Sequence, residues 1–204
     1  MSARTSRPAR RLVVAIAIAS AVVLTGCTAN EDLADQYRSG NGQGYISGDG
    51  AYTVIAEADR DEPIEFEGVI ETGDTVSSDD YRGEVLVVNF WYAACPPCRL
   101  EAPDLEALSQ QFAPDGVRFL GVNIYDQAPT AMSFAEEFGV TYPSILDVND
   151  GSVRLAFAGQ VAPNAVPTTL VLDQQGRVAA RISGVISEPS VLRSMITDVL
   201  AEAS

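Results

Sequence analysis

The chain has no histidine and no lysine; all 13 of its basic residues are Arg. Without His there is no imidazole to serve as general base, to activate a nucleophile or to bind a metal. The 28 acidic residues outnumber the basic ones, for a formal net charge of -15. Phosphate backbones require a basic face, so nucleic acid is excluded as a partner. Cysteine is scarce too, with three in 204 residues. A zinc centre needs about four Cys or His ligands, so neither a metal nor any other cofactor is expected. No apolar run reaches the roughly 20 residues that span a bilayer. Residues 12–24 come nearest and fall short.

What is present begins with an export signal. Arg4, Arg7, Arg10 and Arg11 precede the apolar stretch 12–24 with no acid among them, the pattern of a signal peptide. The stretch ends in Leu24-Thr25-Gly26-Cys27, which resembles the lipobox of bacterial lipoproteins. That resemblance implies that residues 1–26 are removed and that Cys27 carries lipid, anchoring the chain to the outer face of the cytoplasmic membrane. Arg10-Arg11 also admits a twin-arginine signal, though its surroundings fit that signal poorly and favour Sec export. Losing the leader removes four Arg and no acid, so the mature chain is more acidic still and selects partners with basic regions.

Residues 27–61 are polar and Gly-rich, as in Ser39-Gly40-Asn41-Gly42, and read as a flexible tether. Within it, Tyr52-Thr53-Val54-Ile55 has the character of a strand that could pair with the domain edge. The folded domain is expected over 62–204. Residues 66–70 and 74–77 flank Glu71-Thr72-Gly73 as a hairpin. Residues 85–91 are apolar without alternation, as in a parallel strand buried on both faces. Residues 99–112 carry Leu105, Leu108 and Phe112 on one helical stripe, with Pro103 expected to kink it. Residues 117–124 read as a second buried strand, and 130–138 as a short helix stopped by Gly139. A second hairpin is expected over 168–172 and 177–182, and an amphipathic helix over 188–203. This order predicts an α/β fold, with a central mixed sheet, helices on both faces and an extra N-terminal hairpin.

Cys95-Pro96-Pro97-Cys98 sits where the first buried strand gives way to the helix. Disulfide exchange needs one thiolate that attacks and a second thiol that resolves the mixed disulfide. A helix N-terminus lowers the pKa of the first Cys, so Cys95 is the attacking thiol, at the open end, and Cys98 the shielded resolving one. Proline fits the first helical turn, where the N–H groups lack partners. Pro96-Pro97 also withdraws two donors from the Cys95 thiolate and leaves the Cys98 N–H. A less stabilised thiolate points to a reducing potential, nearer thioredoxin's (about -270 mV) than DsbA's (about -120 mV).

The segment Asn89-Phe90-Trp91-Tyr92-Ala93-Ala94-Cys95-Pro96-Pro97-Cys98-Arg99-Leu100-Glu101 resembles the active-site segment of the TlpA/ResA-like, membrane-anchored thioredoxins. Val166-Pro167-Thr168-Thr169, with Gly176 beyond, resembles their proline loop, strand and hairpin. The resemblance implies a thioredoxin-like fold and a lipid-anchored thiol–disulfide oxidoreductase acting on exported proteins with cysteine pairs, such as apocytochrome c. Its electrons would come from a membrane donor of the CcdA or DsbD kind. Pro167 would be the cis-proline facing the thiols, with Val166 presenting backbone to a substrate. Glu101 matches an acidic residue linked to proton handling; a surface acid beside Arg99 is the other reading. Ala94 stands where many relatives have Trp, and Asn89 where cytoplasmic thioredoxins have a buried Asp. A disulfide-forming oxidant, a peroxiredoxin-like peroxidase, a Sco-type copper module and a redox-inert binding module are the competing readings. The peroxiredoxin pattern Pro-x-x-x-Thr/Ser-x-x-Cys is lacking, and CxxC spacing with no His disfavours the copper module.

Overall fold

A computed structural model describes residues 46–47, 51–162 and 164–202. Cys27, the leader and most of the expected tether lie outside these residues. The central sheet has seven strands in the order β1 (Ile46–Ser47), β2 (Ala51–Val54), β9 (Val178–Ser183), β8 (Thr168–Leu172), β5 (Val85–Trp91), β6 (Val117–Asn123) and β7 (Ser144–Leu146). An interior strand of it is β5 (Val85–Trp91), all seven residues of which are buried. β5 runs parallel to β6 (Val117–Asn123), and β6 parallel to β7 (Ser144–Leu146). On its other side β5 pairs antiparallel with β8 (Thr168–Leu172), which forms the expected hairpin with β9 (Val178–Ser183). The continuous apolar run of β5 is explained by this position, since both faces and both edges are covered.

Alternate residues of β5 face two cores. Val85 and Val87 meet Leu105, Leu108 and Phe112 of α1 (Pro96–Phe112) and Leu192, Ile196 and Val199 of α4 (Pro189–Glu202). Leu86, Val88 and Phe90 meet Phe66, Phe157 and Val153 on the opposite face, where the short α3 (Ser152–Ala156) lies. α2 (Ala128–Phe138) packs Ala131 and Phe134 against Trp91, the last residue of β5, and stops at Gly139, whose φ of 70° suits glycine. α1 continues unbroken through Pro103. The expected N-terminal hairpin is β3 (Glu67–Val69) with β4 (Thr75–Ser77). It joins the far edge of the sheet through an Ile70–Ile145 bridge and Glu71 N–H donating to Ser144 O. β7 and α3 are elements that the sequence reading did not anticipate.

The boundary at Glu62 needs correction. β2 (Ala51–Val54) pairs with β9, Tyr52 opposite Ile182, and β1 (Ile46–Ser47) pairs with β2. Arg60 then follows with its side chain almost wholly covered. It donates to Asp173 at 3.0 Å, to Glu202 at 2.7 Å and to Ile55 O at 3.2 Å. A buried guanidinium is tolerable only when paired, and these partners come from the β8–β9 turn and the last helix. Residues 51–61 therefore belong to the domain. Their polar composition is that of an edge, where a strand shields β9 while half facing solvent.

Candidate active site

β5 ends at Trp91, and Tyr92-Ala93-Ala94 turn the chain into α1. Cys95 is the N-cap of that helix, and Pro96 and Pro97 occupy its first positions. Cys95 and Cys98 are joined as a disulfide with Cα atoms 5.3 Å apart. Cys98 N–H donates to Cys95 Sγ at 3.2 Å, the one donor that the Pro-Pro pair leaves in place. The turn before the disulfide is clamped from outside. Asp126 accepts from Ala93 N–H at 2.6 Å and from Asn123 Nδ2 at 2.9 Å, while Asn123 Oδ1 takes the N–H groups of Tyr125 and Asp126. Arg99 reaches back to Ala93 O at 3.3 Å and is held by Glu137 and over the Phe138 ring.

The sequence reading places Cys95 at an open end and Cys98 behind it. In the disulfide form both residues are only 2% exposed. Tyr92, Ala93 and Val166 pack on the cluster that holds them, so burial alone does not distinguish the two sulfurs. The Val166–Pro167 peptide is cis, and Val166 packs against this cluster. Pro167 O accepts from Gly184 N–H and Thr168 Oγ1 donates to Ala165 O, which fixes the loop on both sides. Beyond Val166 opens a groove of about 410 Å³, lined among others by Phe90, Ile124, Arg154, Leu155 and Val161.

Glu101 is the largest surprise behind the disulfide. The surface reading is wrong: its residue is 1% exposed, and Arg99 pairs with Glu137 instead. One carboxylate oxygen accepts from Asn89 Nδ2 at 2.9 Å and the other from Ile186 N–H at 2.9 Å. Burial raises its pKa from 4.5 to about 7, against the opposing pull of these two hydrogen bonds. Asn89 gives its second amide hydrogen to Thr169 Oγ1 at 3.0 Å, across the β5–β8 register. Trp91 is core: its ring packs 4.3 Å from Phe134, and Nε1 donates to Ser144 Oγ at 3.2 Å.

Asp126, Thr169 and Ile186 were not singled out from the sequence. Asn123-x-x-Asp126 carried a weak turn signal. The others act through contacts between distant segments. Among the described residues no group of three or more His, Cys, Asp or Glu could hold a metal, and no helix is long and apolar enough to cross a membrane.

A dithiol pair at the N-terminus of a helix, on a mixed sheet and facing a cis-proline loop, defines the thioredoxin-like redox proteins. Within that class the chain belongs to the Redoxin family, whose model matches residues 58–196. It is 34% identical over 116 residues to thiol-disulfide oxidoreductase ResA of Geobacillus kaustophilus, covering 57% of this chain and 64% of that one. The match thus spans less than two thirds of that relative's length. Among solved structures, a DsbF homologue from Corynebacterium diphtheriae aligns with TM-score 0.64 and 31% identity over 76% of this chain and 98% of that one. A secreted thiol-disulfide isomerase from Corynebacterium glutamicum aligns with TM-score 0.64 and 30% identity over 76% and 96%.

Proposed function

We propose that this protein is an extracytoplasmic thiol–disulfide oxidoreductase that reduces disulfides in exported proteins. The observation that carries the reading is the Cys95–Cys98 disulfide at a helix N-terminus, with the Cys98 N–H on Cys95 Sγ and the Val166–Pro167 loop across it. In the dithiol form, the Cys95 thiolate attacks one sulfur of a substrate disulfide. That S–S bond breaks, and its electron pair leaves on the second substrate sulfur, which takes a proton. Cys98 then attacks Cys95, the mixed disulfide breaks, and the second substrate thiol departs. Two electrons and two protons have passed to the substrate. The groove beside Val166 would receive the polypeptide flanking the substrate cysteine.

Apocytochrome c is the substrate class suggested by the sequence resemblance, and a CcdA- or DsbD-type membrane protein the electron donor. Cys27, lipidated, would hold the domain at the membrane. Two measurements test the reading. A redox potential near thioredoxin's about -270 mV supports a reductant; one near DsbA's about -120 mV makes the protein an oxidant. Radiolabelled fatty acid should enter the wild-type protein in cells and not Cys27→Ser, which should be released from membranes. Equal labelling of both would refute the anchor.

A further inference from the structure

Beside Cys98 lies a second and much smaller cavity. Its volume of about 10 Å³ is room for one water. Cys98, Asn89, Trp91, Tyr142, Ser144 and Glu71 supply its polar lining, and Ala102, Leu105, Ala131 and Phe134 its apolar walls. A water is retained in such a space when two to four polar partners meet it. Asn89 spends both amide hydrogens on Glu101 and Thr169, so its oxygen is left to accept. Burial, reinforced by the Glu101 and Glu106 carboxylates, pushes the Tyr142 hydroxyl up, so it stays protonated and can donate. Glu71 is half-buried at the tip of the β3–β4 hairpin. One of its oxygens accepts from Ser144 N–H at 2.7 Å, and the carboxylate borders both the cavity and solvent.

We propose that this cavity holds a water that carries the proton of Cys98 to Glu71, making Glu71 the proton exit for the resolving step. The proposal rests on the exchange reading above and assigns a route within it. In resolution the Cys98 S–H bond breaks and its proton passes through the water to the Glu71 carboxylate, then to solvent. The electron pair left on Cys98 forms the bond to Cys95, and the Cys95–substrate bond breaks with its pair on the substrate sulfur. The titratable groups at the cavity are Glu71 from the hairpin and Tyr142 from the segment before β7. On α1, Glu101 lies behind Asn89, and Glu106 is engaged by Thr141. α2 presents Ala131, Phe134 and Ala135, and β5 presents Asn89 and Trp91, none of which titrates. Glu101 accepts from Asn89 and Ile186 and does not line the cavity, so it positions the amide.

The test uses the reduced, mature chain and the chromogenic disulfide dithiobis-nitrobenzoate. The first nitrothiobenzoate released reports attack by Cys95; the second reports resolution by Cys98. Glu71→Gln keeps an oxygen for Ser144 N–H and removes the proton acceptor. It should slow the second release by about a hundredfold, the low end of general-base effects, and leave the first unchanged. Glu71→Asp should recover most of that rate. Tyr142→Phe should slow the second release by a smaller factor, and it carries the test if Glu71→Gln does not fold. A solvent deuterium effect on the second release should shrink in Glu71→Gln. Wild-type rates of second release in Glu71→Gln and Tyr142→Phe, or equal slowing of both releases, would overturn the proposal. Absence of the first release in the wild type would instead overturn the exchange reading itself.

Discussion

Cys95 and Cys98 are equally covered, yet the two sides of their disulfide are built from different materials. Around the turn into Cys95 stand backbone and apolar groups, Tyr92, Ala93 and Val166, with Asp126 gripping the turn through Ala93 N–H. On the Cys98 side stand Asn89, Glu101, Tyr142 and Glu71, a polar layer closed off by α1 and α2. The first side can meet another polypeptide without charge specificity. The second holds the groups of the proposed proton route, and buried ionisable groups respond to small changes in their surroundings. The proposed docking loop and the proposed proton exit therefore differ in the materials that build them.

Removing one sulfur is the largest way to break the comparison. Cys98→Ala should reduce turnover to the uncatalysed background while Cys95 still attacks, so partners accumulate as mixed disulfides that mass spectrometry can identify. Cys95→Ala should lose both steps. Recovery of no Cys95-linked partner under mild oxidation would count against the exchange mechanism.

A pH titration of stability probes the polar side alone. Glu101 is raised from 4.5 to about 7 in the fold, so between those values the native state holds a proton that the unfolded chain has lost. Stability from this group is fully present below about pH 4.5 and is lost as pH rises through about 7. The loss should total about 3 kcal/mol in chemical denaturation, and Glu101→Gln should flatten that part of the curve. A wild-type curve that is flat from pH 5 to 8 would remove Glu101 from the buried titrating groups.

Gly121→Ala attacks the wall of the same side. A Cβ on Gly121 would run into Ser144 Oγ and lie 2.8 Å from Trp91 Nε1. Overpacking there should cost about 2 kcal/mol in the denaturant midpoint. Asp126→Ala acts on the opposite side and should cost about 1 kcal/mol by removing the acceptor for Ala93 N–H. Its first nitrothiobenzoate release should slow more than its second. The reverse order would mean that Asp126 serves the rear of the site.

Sequence alone went far wherever contacts are local or periodic. The apolar run of β5, interrupted only by Asn89, the CxxC at the strand–helix junction, the Pro-Pro helix start, the two hairpins and Gly139 as a stop were all legible in it. They are set by neighbours within a few residues or by the burial of a whole strand. The order of the sulfurs in chain and helix follows in the same way, since helix polarity distinguishes a first from a fourth position.

Tertiary structure alone decided the rest. Glu101 looked equally like a surface acid until Asn89, 12 residues before it, and Ile186, 85 residues after it, closed around its carboxylate. Tyr52-Thr53-Val54-Ile55 had strand character but no named partner until β9, some 130 residues onward, offered an edge, and Arg60 lay in the expected tether until Asp173 and Glu202 met it. Cys95 seemed open until Val166 arrived from the proline loop. Burial is a property of what lies on the other side of a residue. Partners that distant leave no periodic trace in the chain itself.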